Sequence, residues 1–397
     1  MSGFSLSADQ TAYISRVRAL AAEHLVALVA EGTEGRVNRP LLATMGDLGL
    51  LRDLFGGDPD SAPRDAAAMQ LCLLRETIAA VSPEAETTLA LQGLGSYPIL
   101  QSGSAETINR WIPGVVDGSV VAAFALTEPD AGSDAAALSL KAEADGDCWR
   151  LSGEKVWISN APEADVYTVF ARTTTGAGAR GVTAFAVAGD AIGLNGEHLD
   201  MLSPHPIGRL TFDGVRVERE DVLGEVDAGF RVAMRTLDLF RPSVGAFAVG
   251  MARAALDATI DHVSTRQVYG GPLAKQQSVA HSLATMATQL EAARLLVYSA
   301  ACAYDAGSDR GTISRTAAMA KLFATEAAQQ IVDQCVQLHG ARALQRGHLL
   351  EHLYRDVRAP RIYEGASEVQ RTIIAREILR GRATPTENAM RSERTGS

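Results

Sequence analysis

The stretch IYEGASEVQR, residues 362 to 371, sets a single carboxylate, Glu364, between Tyr363 and Gly365. Arg355, Arg358 and Arg361 precede it, Arg371 follows, and a helix-like run from Glu368 to Leu379 comes directly after. Two chemistries suit that placement. An acid at the start of a helix is stabilised by the macrodipole and pairs with nearby arginines. A carboxylate beside a glycine, where the backbone is free to approach a ligand, can act as a general base.

Other stretches offer groups that could hold a flat ligand. FALTEPDAGSD (124 to 134) reads as a strand that ends at Thr127 and enters a Pro/Gly turn. Such a turn can present hydroxyl and N–H groups to a planar cofactor or its phosphates, or it can bond only to itself as a polar loop. VWISNA (156 to 161) puts Trp157 and Ser159 on one face of a strand. An aromatic plane with a hydroxyl two residues on suits a heterocycle, although a tryptophan is more commonly a core residue.

Two short motifs carry less. GAGARG (176 to 181) fits GxGxxG, but that motif needs a helix after it to bring N–H groups to a pyrophosphate, and VTAFAVAG reads as another strand. A hairpin turn is the better reading. HLLEH (348 to 352) fits the inverted zinc pattern with His348 and His352 on one helix face. No third ligand stands nearby, so solvated helix residues are expected and no metal is assigned.

The elements that must position these groups come in three blocks. Up to about Gly118 apolar residues such as Ile14, Val17, Leu20, Leu25 and Leu28 recur at helical spacing, and GGDPDSAPRD (56 to 65) reads as a loop. From 120 to 226 the period is that of strands: VVAAFAL, then LSLKAEADGDCWRLSGEKVWIS with its Asp145-Gly146 hairpin signal, DVYTVFART with GVTAFAVAG, and RLTFDGVRV. From 227 to 383 it is helical again, with Leu283, Met286, Leu290, Ala293 and Leu296 in one segment and Ala320, Phe323, Ala327 and Ile331 in another. Long helices with few turn signals predict a bundle. The polar stretch 384 to 397 is expected to be disordered. The fold class is therefore mainly α with a central β domain: helical block 1 to 119, β block 120 to 226, helical block 227 to 383.

Bulk properties narrow the function. The 397 residues are 47% hydrophobic, enough for a large core. With 37 Lys+Arg against 47 Asp+Glu, the net charge of -10 disfavours nucleic acid. No apolar run is long enough to predict a membrane span, and MSGFSLSADQTAYISRV lacks the layout of a signal peptide. Cys72, Cys148, Cys302 and Cys335 are scattered and read as buried free thiols of a cytoplasmic protein.

Taken together, FALTEPDAGSD, VWISNAPEADVYTVFART, RQVYGGPLAKQQ, VQLHGARAL and RDVRAPRIYEGASEVQRTIIARE resemble, in order, the motifs of the acyl-CoA dehydrogenase family, from about residue 10 to 380. The resemblance implies a helical domain, a β-barrel-like domain and a C-terminal four-helix bundle. It implies FAD, a homotetramer built as a dimer of dimers, and electron transfer to an electron-transfer flavoprotein. Carried over by position, Thr127 and Ser133 would contact the flavin and its phosphates, Trp157 would stack on the isoalloxazine, and Ser159 would bond near N5. Arg266 and Gln277 would reach the FAD of the neighbouring subunit, and Gln337 and Gly340 would line the adenine and pyrophosphate path. Arg241 would lie near the pantetheine, an ion pair at a helix end being its other reading. Glu364 falls on the catalytic base, with Gly365 beside the thioester, and Phe240 removes the competing base position of some branches. In that chemistry the base takes the α-proton, N–H and hydroxyl donors hold the thioester oxygen, and the β-hydrogen leaves as hydride.

Several positions depart from the family pattern. Ala341 stands for a second glycine, His339 for an aromatic and Ala366 for a threonine. In LSPHPIG (202 to 208), Pro204 and Pro206 stiffen the loop, and His205 either touches a substrate or faces water. An acyl-carrier-protein substrate is the alternative to acyl-CoA, and it calls for a basic patch to which Arg209, Arg216 and Arg235 would contribute. Oxidase or monooxygenase chemistry, and a non-catalytic scaffold, are the remaining alternatives.

Overall fold

A computed structural model describes residues 5–55, 67–203 and 205–380. The expected loop at 56–65, the tail from Thr384 and the ring of Pro204 lie outside the described residues. Ser7 caps α1 (Ala8–Leu20) through a capping box with Gln10. A π-helical turn, Ala21–Leu25, joins it to α2 (Val26–Glu31), and Val17, Ala21 and Leu25 are buried along one stripe. Then come α3 (Arg39–Asp47), α4 (Ala68–Ala79), α5 (Pro83–Ser102) and α6 (Ala105–Asp117). Serines 82 and 104 cap the last two, and Gly118 ends α6 in the left-handed region.

The central block is a sheet of β1 (Ala122–Ala125), β2 (Lys141–Asp145), β3 (Cys148–Ser159), β4 (Val166–Arg172), β5 (Val182–Ala188), β6 (Leu194–His198), β7 (Ile207–Glu218) and β8 (Val222–Leu223). Its order is β6-β7-β3-β2-β4-β5-β8, with β1 also paired to β4. β1 and β2 run parallel to β4, and the other pairs are antiparallel. The β2–β3 hairpin turns at Gly146, as its sequence predicts. GAGARG lies in the antiparallel connection from β4 to β5, where no α-helix opens.

The last block holds α7 (Gly229–Thr265), the short hairpin β9 (Gln267–Val268) and β10 (Gly271–Pro272), α8 (Gln277–Asp305), α9 (Arg310–His339), α10 (Leu349–Asp356) and α11 (Ser367–Arg380). Helices α7, α8, α9 and α11 pack into the expected four-helix bundle, and α4 leans on α7 and α8. α7 is long and apolar enough to cross a membrane, but 72% of its apolar window is buried inside the protein, as suits a bundle's central helix. Periodicity misplaces Phe323, which is 39% exposed on α9, and Cys302 is exposed whereas the other cysteines are buried.

α5 joins the three blocks, packing on β1, α6 and α7. Its Gly95 has no room for a side chain, since a Cβ there would lie 2.5 Å from the Ala123 nitrogen. Thr168 donates to the Gly95 carbonyl at 2.7 Å, and Gln92 accepts from the Ala122 N–H at 2.9 Å. This close approach fixes the end of β1 against the helices, and the candidate site opens there.

Candidate active site

A cavity of about 1160 Å³ opens between α5, the ends of β1 and β3, α7 and α11. Of the residues singled out from sequence, Thr127, Ser133, Trp157, Ser159, Arg241, Glu364 and Gly365 all line it.

The sheet side is stapled by a buried ion pair. Lys155 donates to Glu128 at 2.8 Å and to the Leu126 carbonyl at 2.9 Å, and Glu128 also accepts from the backbone of Ser139 and Leu140. The Val156 N–H donates to the Thr127 carbonyl at 3.0 Å, so the loop after β1 is tied to β3. Between Lys155 and Ile158 the β3–β7 register is irregular, and Trp157 takes a φ of 59° there. This bulge breaks the plain alternation from which Trp157 and Ser159 share a face, and it leaves the indole 54% exposed. An aromatic plane open to a cavity and surrounded by hydroxyls fits the isoalloxazine of a flavin.

His205 is half-buried at the site rather than fully exposed: its Nε2 lies 2.7 Å from Ser159 Oγ, it lines the cavity, and burial pushes its pKa down to about 4. The imidazole is therefore neutral at physiological pH.

On the helical side, Glu364 has a φ of 52° and Gly365 one of 94°. A non-glycine residue in the left-handed region is strained, and such strain persists only where the surroundings enforce it. Arg241 Nε points to the Glu364 carbonyl at 3.4 Å, and Lys321 Nζ and Gln370 Nε2 donate to the Gly365 carbonyl at 2.7 and 2.8 Å. The carboxylate is neither a cap of α11 nor an ion-pair partner: its Oε2 is buried and has no hydrogen-bond partner among the described residues. Burial raises its pKa, against the opposing charges of Arg75, Lys321 and Arg241. Arg241 sits inside α7 rather than at a helix end, and it is also ion-paired to Asp238 at 3.1 Å.

Arg75, Glu86 and Lys321 escape the sequence reading. Arg75 and Lys321 interrupt apolar helix runs, in LCLLRET and AAMAKLF, and that interruption is the signal that could have found them, whereas Glu86, in PEAETT, carries no such signal. Arg266, Gln277, Gln337 and Gly340 do not line the cavity. They are exposed, at the end of α7, the start of α8 and the end of α9. There His339, in the expected aromatic's place, stacks on His262 at 4.1 Å and meets His348 edge-on.

In HLLEH, His348 caps α10 by accepting from the Leu350 N–H, whereas His352 lies 2.9 Å from both Glu84 and Asp356. The described residues contain no group suited to a metal ion. Arg209 and Arg216 face Glu197 and Glu218, and neither they nor Arg235 line the cavity.

Two helical blocks and one of sheet thus set the exposed Trp157 and the unpartnered Glu364 Oε2 in one cavity. Family descriptions match along the chain: acyl-CoA dehydrogenase N-terminal domain over residues 7–119, middle domain over 123–215 and C-terminal domain over 227–379. The chain belongs to the acyl-CoA dehydrogenase family. It is 35% identical over 381 residues to cyclohexane-1-carbonyl-CoA dehydrogenase of Geobacter metallireducens, covering 95% of this chain and 99% of that one. Among solved structures it is similar to butyryl-CoA dehydrogenase from Megasphaera elsdenii (TM-score 0.87, 32% identity, 95% and 99% coverage). A second similar chain comes from a structure described as the electron transferring flavoprotein of Acidaminococcus fermentans (TM-score 0.88, 32% identity, 95% and 99% coverage). The protein is an oxidoreductase acting on acyl-CoA, and FAD is its cofactor.

Proposed function

We propose that Glu364 removes the α-proton of an acyl-CoA, yielding an enoyl-CoA. The observation that carries this reading is the buried, unpartnered Oε2 of Glu364 in the same cavity as Trp157. FAD, held by Trp157, Thr127, Ser133 and Ser159, supplies the chemistry of accepting the β-hydride. Burial raises the Glu364 carboxyl above its ordinary value, against Arg75, Lys321 and Arg241, and so strengthens it as a base. Arg241, Lys321 and Gln370 hold the carbonyls of Glu364 and Gly365, so the base is positioned before substrate arrives. The N–H of Glu364 is assigned to the thioester oxygen, where charge develops.

Arg266 and Gln277 are assigned to the FAD of a neighbouring subunit in a homotetramer, and Gln337 and Gly340 to the adenine and pyrophosphate path, in keeping with their exposure outside the cavity. Electron-transfer flavoprotein is proposed as acceptor, in keeping with the similar chain from Acidaminococcus fermentans. Acyl-CoA is favoured over a carrier-protein substrate because Arg209, Arg216 and Arg235 do not line the cavity, and the first two pair with Glu197 and Glu218.

Anaerobic mixing with a panel of acyl-CoAs, followed at the oxidised-flavin band, tests the reading. Glu364→Gln is expected to slow bleaching by about 10²- to 10⁴-fold while retaining FAD. Bleaching at the wild-type rate in that variant would move the base elsewhere.

A further inference from the structure

Ser159 stands between two residues in the left-handed region, Trp157 at a φ of 59° and Asn160 at 65°. The Asn160 side chain donates to the Ala122 carbonyl at 2.9 Å, which pins the end of β3 to β1. Ser159 is paired with Ile207 in the β3–β7 register, and the Asn160 N–H donates to the Pro206 carbonyl at 2.8 Å. On the other side of the loop, the Leu199 N–H donates to the Ile207 carbonyl at 2.9 Å. His205 therefore sits on a connection whose return strand is fixed against Ser159. Its Nε2 lies 2.7 Å from Ser159 Oγ, and both side chains are half-buried and line the cavity. Among the described residues, no other side chain bonds to Ser159 Oγ.

A hydroxyl has one proton, so its neighbours decide where that proton points. A neutral imidazole also has one, and the partner of each ring nitrogen decides where it sits. With the hydrogen on Nε2, His205 donates to Ser159 and the serine proton is free to face the cavity. With the hydrogen on Nδ1, Nε2 takes the serine proton, and only lone pairs of Oγ face a ligand. The N5 edge of an oxidised isoalloxazine carries acceptors, so a hydroxyl that holds it must donate. Resting on the assignment of Ser159 to FAD above, we propose that His205 is a positioning residue, whose Nε2–H donates to Ser159 Oγ and so turns the serine hydroxyl onto the N5 edge of the oxidised flavin. Burial holds the imidazole neutral, with a pKa of about 4, so the ring brings a donor without a positive charge. Hydrogen bonds in a chain polarise one another, and the Ser159 bond to FAD is stronger with His205 behind it.

The test reads the FAD dissociation constant of the full-length holoenzyme from the flavin fluorescence released on dilution. Wild type, Ser159→Ala, His205→Leu and the double variant form a cycle, with His205→Gln as the conservative change. Ser159→Ala and His205→Leu are each expected to weaken FAD binding by about three- to tenfold. The double variant is expected to bind no more weakly than Ser159→Ala, because His205 acts only through that hydroxyl. Glutamine places an amide N–H₂ where Nε2–H stood, and it is expected to restore most of the affinity. If His205 merely braces its loop, His205→Leu weakens FAD equally with serine or alanine at 159, and that result overturns the proposal. A glutamine variant no tighter than leucine overturns it too. So does tighter binding in His205→Leu, which would mean that the imidazole withholds the serine proton. Undiminished affinity in Ser159→Ala would remove the Ser159 assignment together with the proposal and leave Glu364 as base untouched.

Discussion

Arg241 Nε lies 3.4 Å from the carbonyl oxygen of Glu364, while its Nη1 lies 3.1 Å from Asp238. One buried guanidinium thus ties the strained base to the middle of α7. The planar fork is what allows both contacts, and a lysine supplies charge without that geometry. Arg241→Lys is expected to keep FAD and fold but lower kcat about tenfold, because the base loses one of its backbone restraints. Single-turnover flavin reduction measures this. An unchanged rate would reduce Arg241 to the counter-ion of Asp238.

Gly365 shows the same restraint from the backbone side. Its φ of 94° disfavours any side chain, and a Cβ would sit 2.6 Å from Gln370 Nε2, the donor that holds the Gly365 carbonyl. Gly365→Ala is expected to cost about 1–3 kcal/mol of stability and to slow flavin reduction, since Gln370 must swing away. Chemical denaturation and rapid kinetics on the same sample separate the two effects. A variant as stable and as fast as wild type would show that the loop is not held as described.

Trp157 gives a prediction for the cofactor alone. Its indole is 54% exposed, so its removal takes little from the core. Trp157→Ala is expected to leave the far-UV spectrum and melting of the apoprotein unchanged while weakening FAD binding by roughly tenfold or more, the scale of a lost aromatic stack. Titration of apoprotein with FAD checks it. Undiminished affinity would mean that the ring is not the flavin platform.

Much of this was legible in the residues. The change from helical to strand period near Val120 and back near Gly229 marks the three blocks, because each period follows from which face must be buried. The ordered motifs also singled out Thr127, Trp157, Ser159 and Glu364, which the fold gathers around one cavity. What sequence did not show depends on tertiary contact. The positive φ of Trp157 arises from a register irregularity between β3 and β7, and no local propensity encodes it. Sequence leaves His205, between prolines, either at a substrate or in water, and only the fold brings Ser159 against it. Arg75 and Glu86 look like ordinary helix charges, and only the packing of α4 on α7 and of α5 over the cavity buries them together. The exposed Phe323 is the reverse case, an apolar residue in phase with a buried stripe that α9 turns outward.

The remaining prediction concerns pH. His352 lies 2.9 Å from Asp356 and 2.9 Å from Glu84, with Arg355 at 3.5 Å from its other nitrogen. The Asp356 and Glu84 carboxylates beside it raise its pKa from 6.5 to about 10, outweighing burial. The folded protein therefore binds more protons here than the unfolded chain between those values. The stability from this cluster is fully present below pH 6.5 and is lost as pH rises through about 10. His352→Gln cannot titrate, so the stability difference between wild type and variant is expected to shrink steadily over that range. Groups other than Glu84 and Asp356, whose own titration His352 shifts, titrate alike in both proteins and cancel. Urea unfolding of the two proteins near neutrality and again near the upper limit measures the difference, and curves that stay parallel would show that the imidazole between α5 and α10 is not held charged.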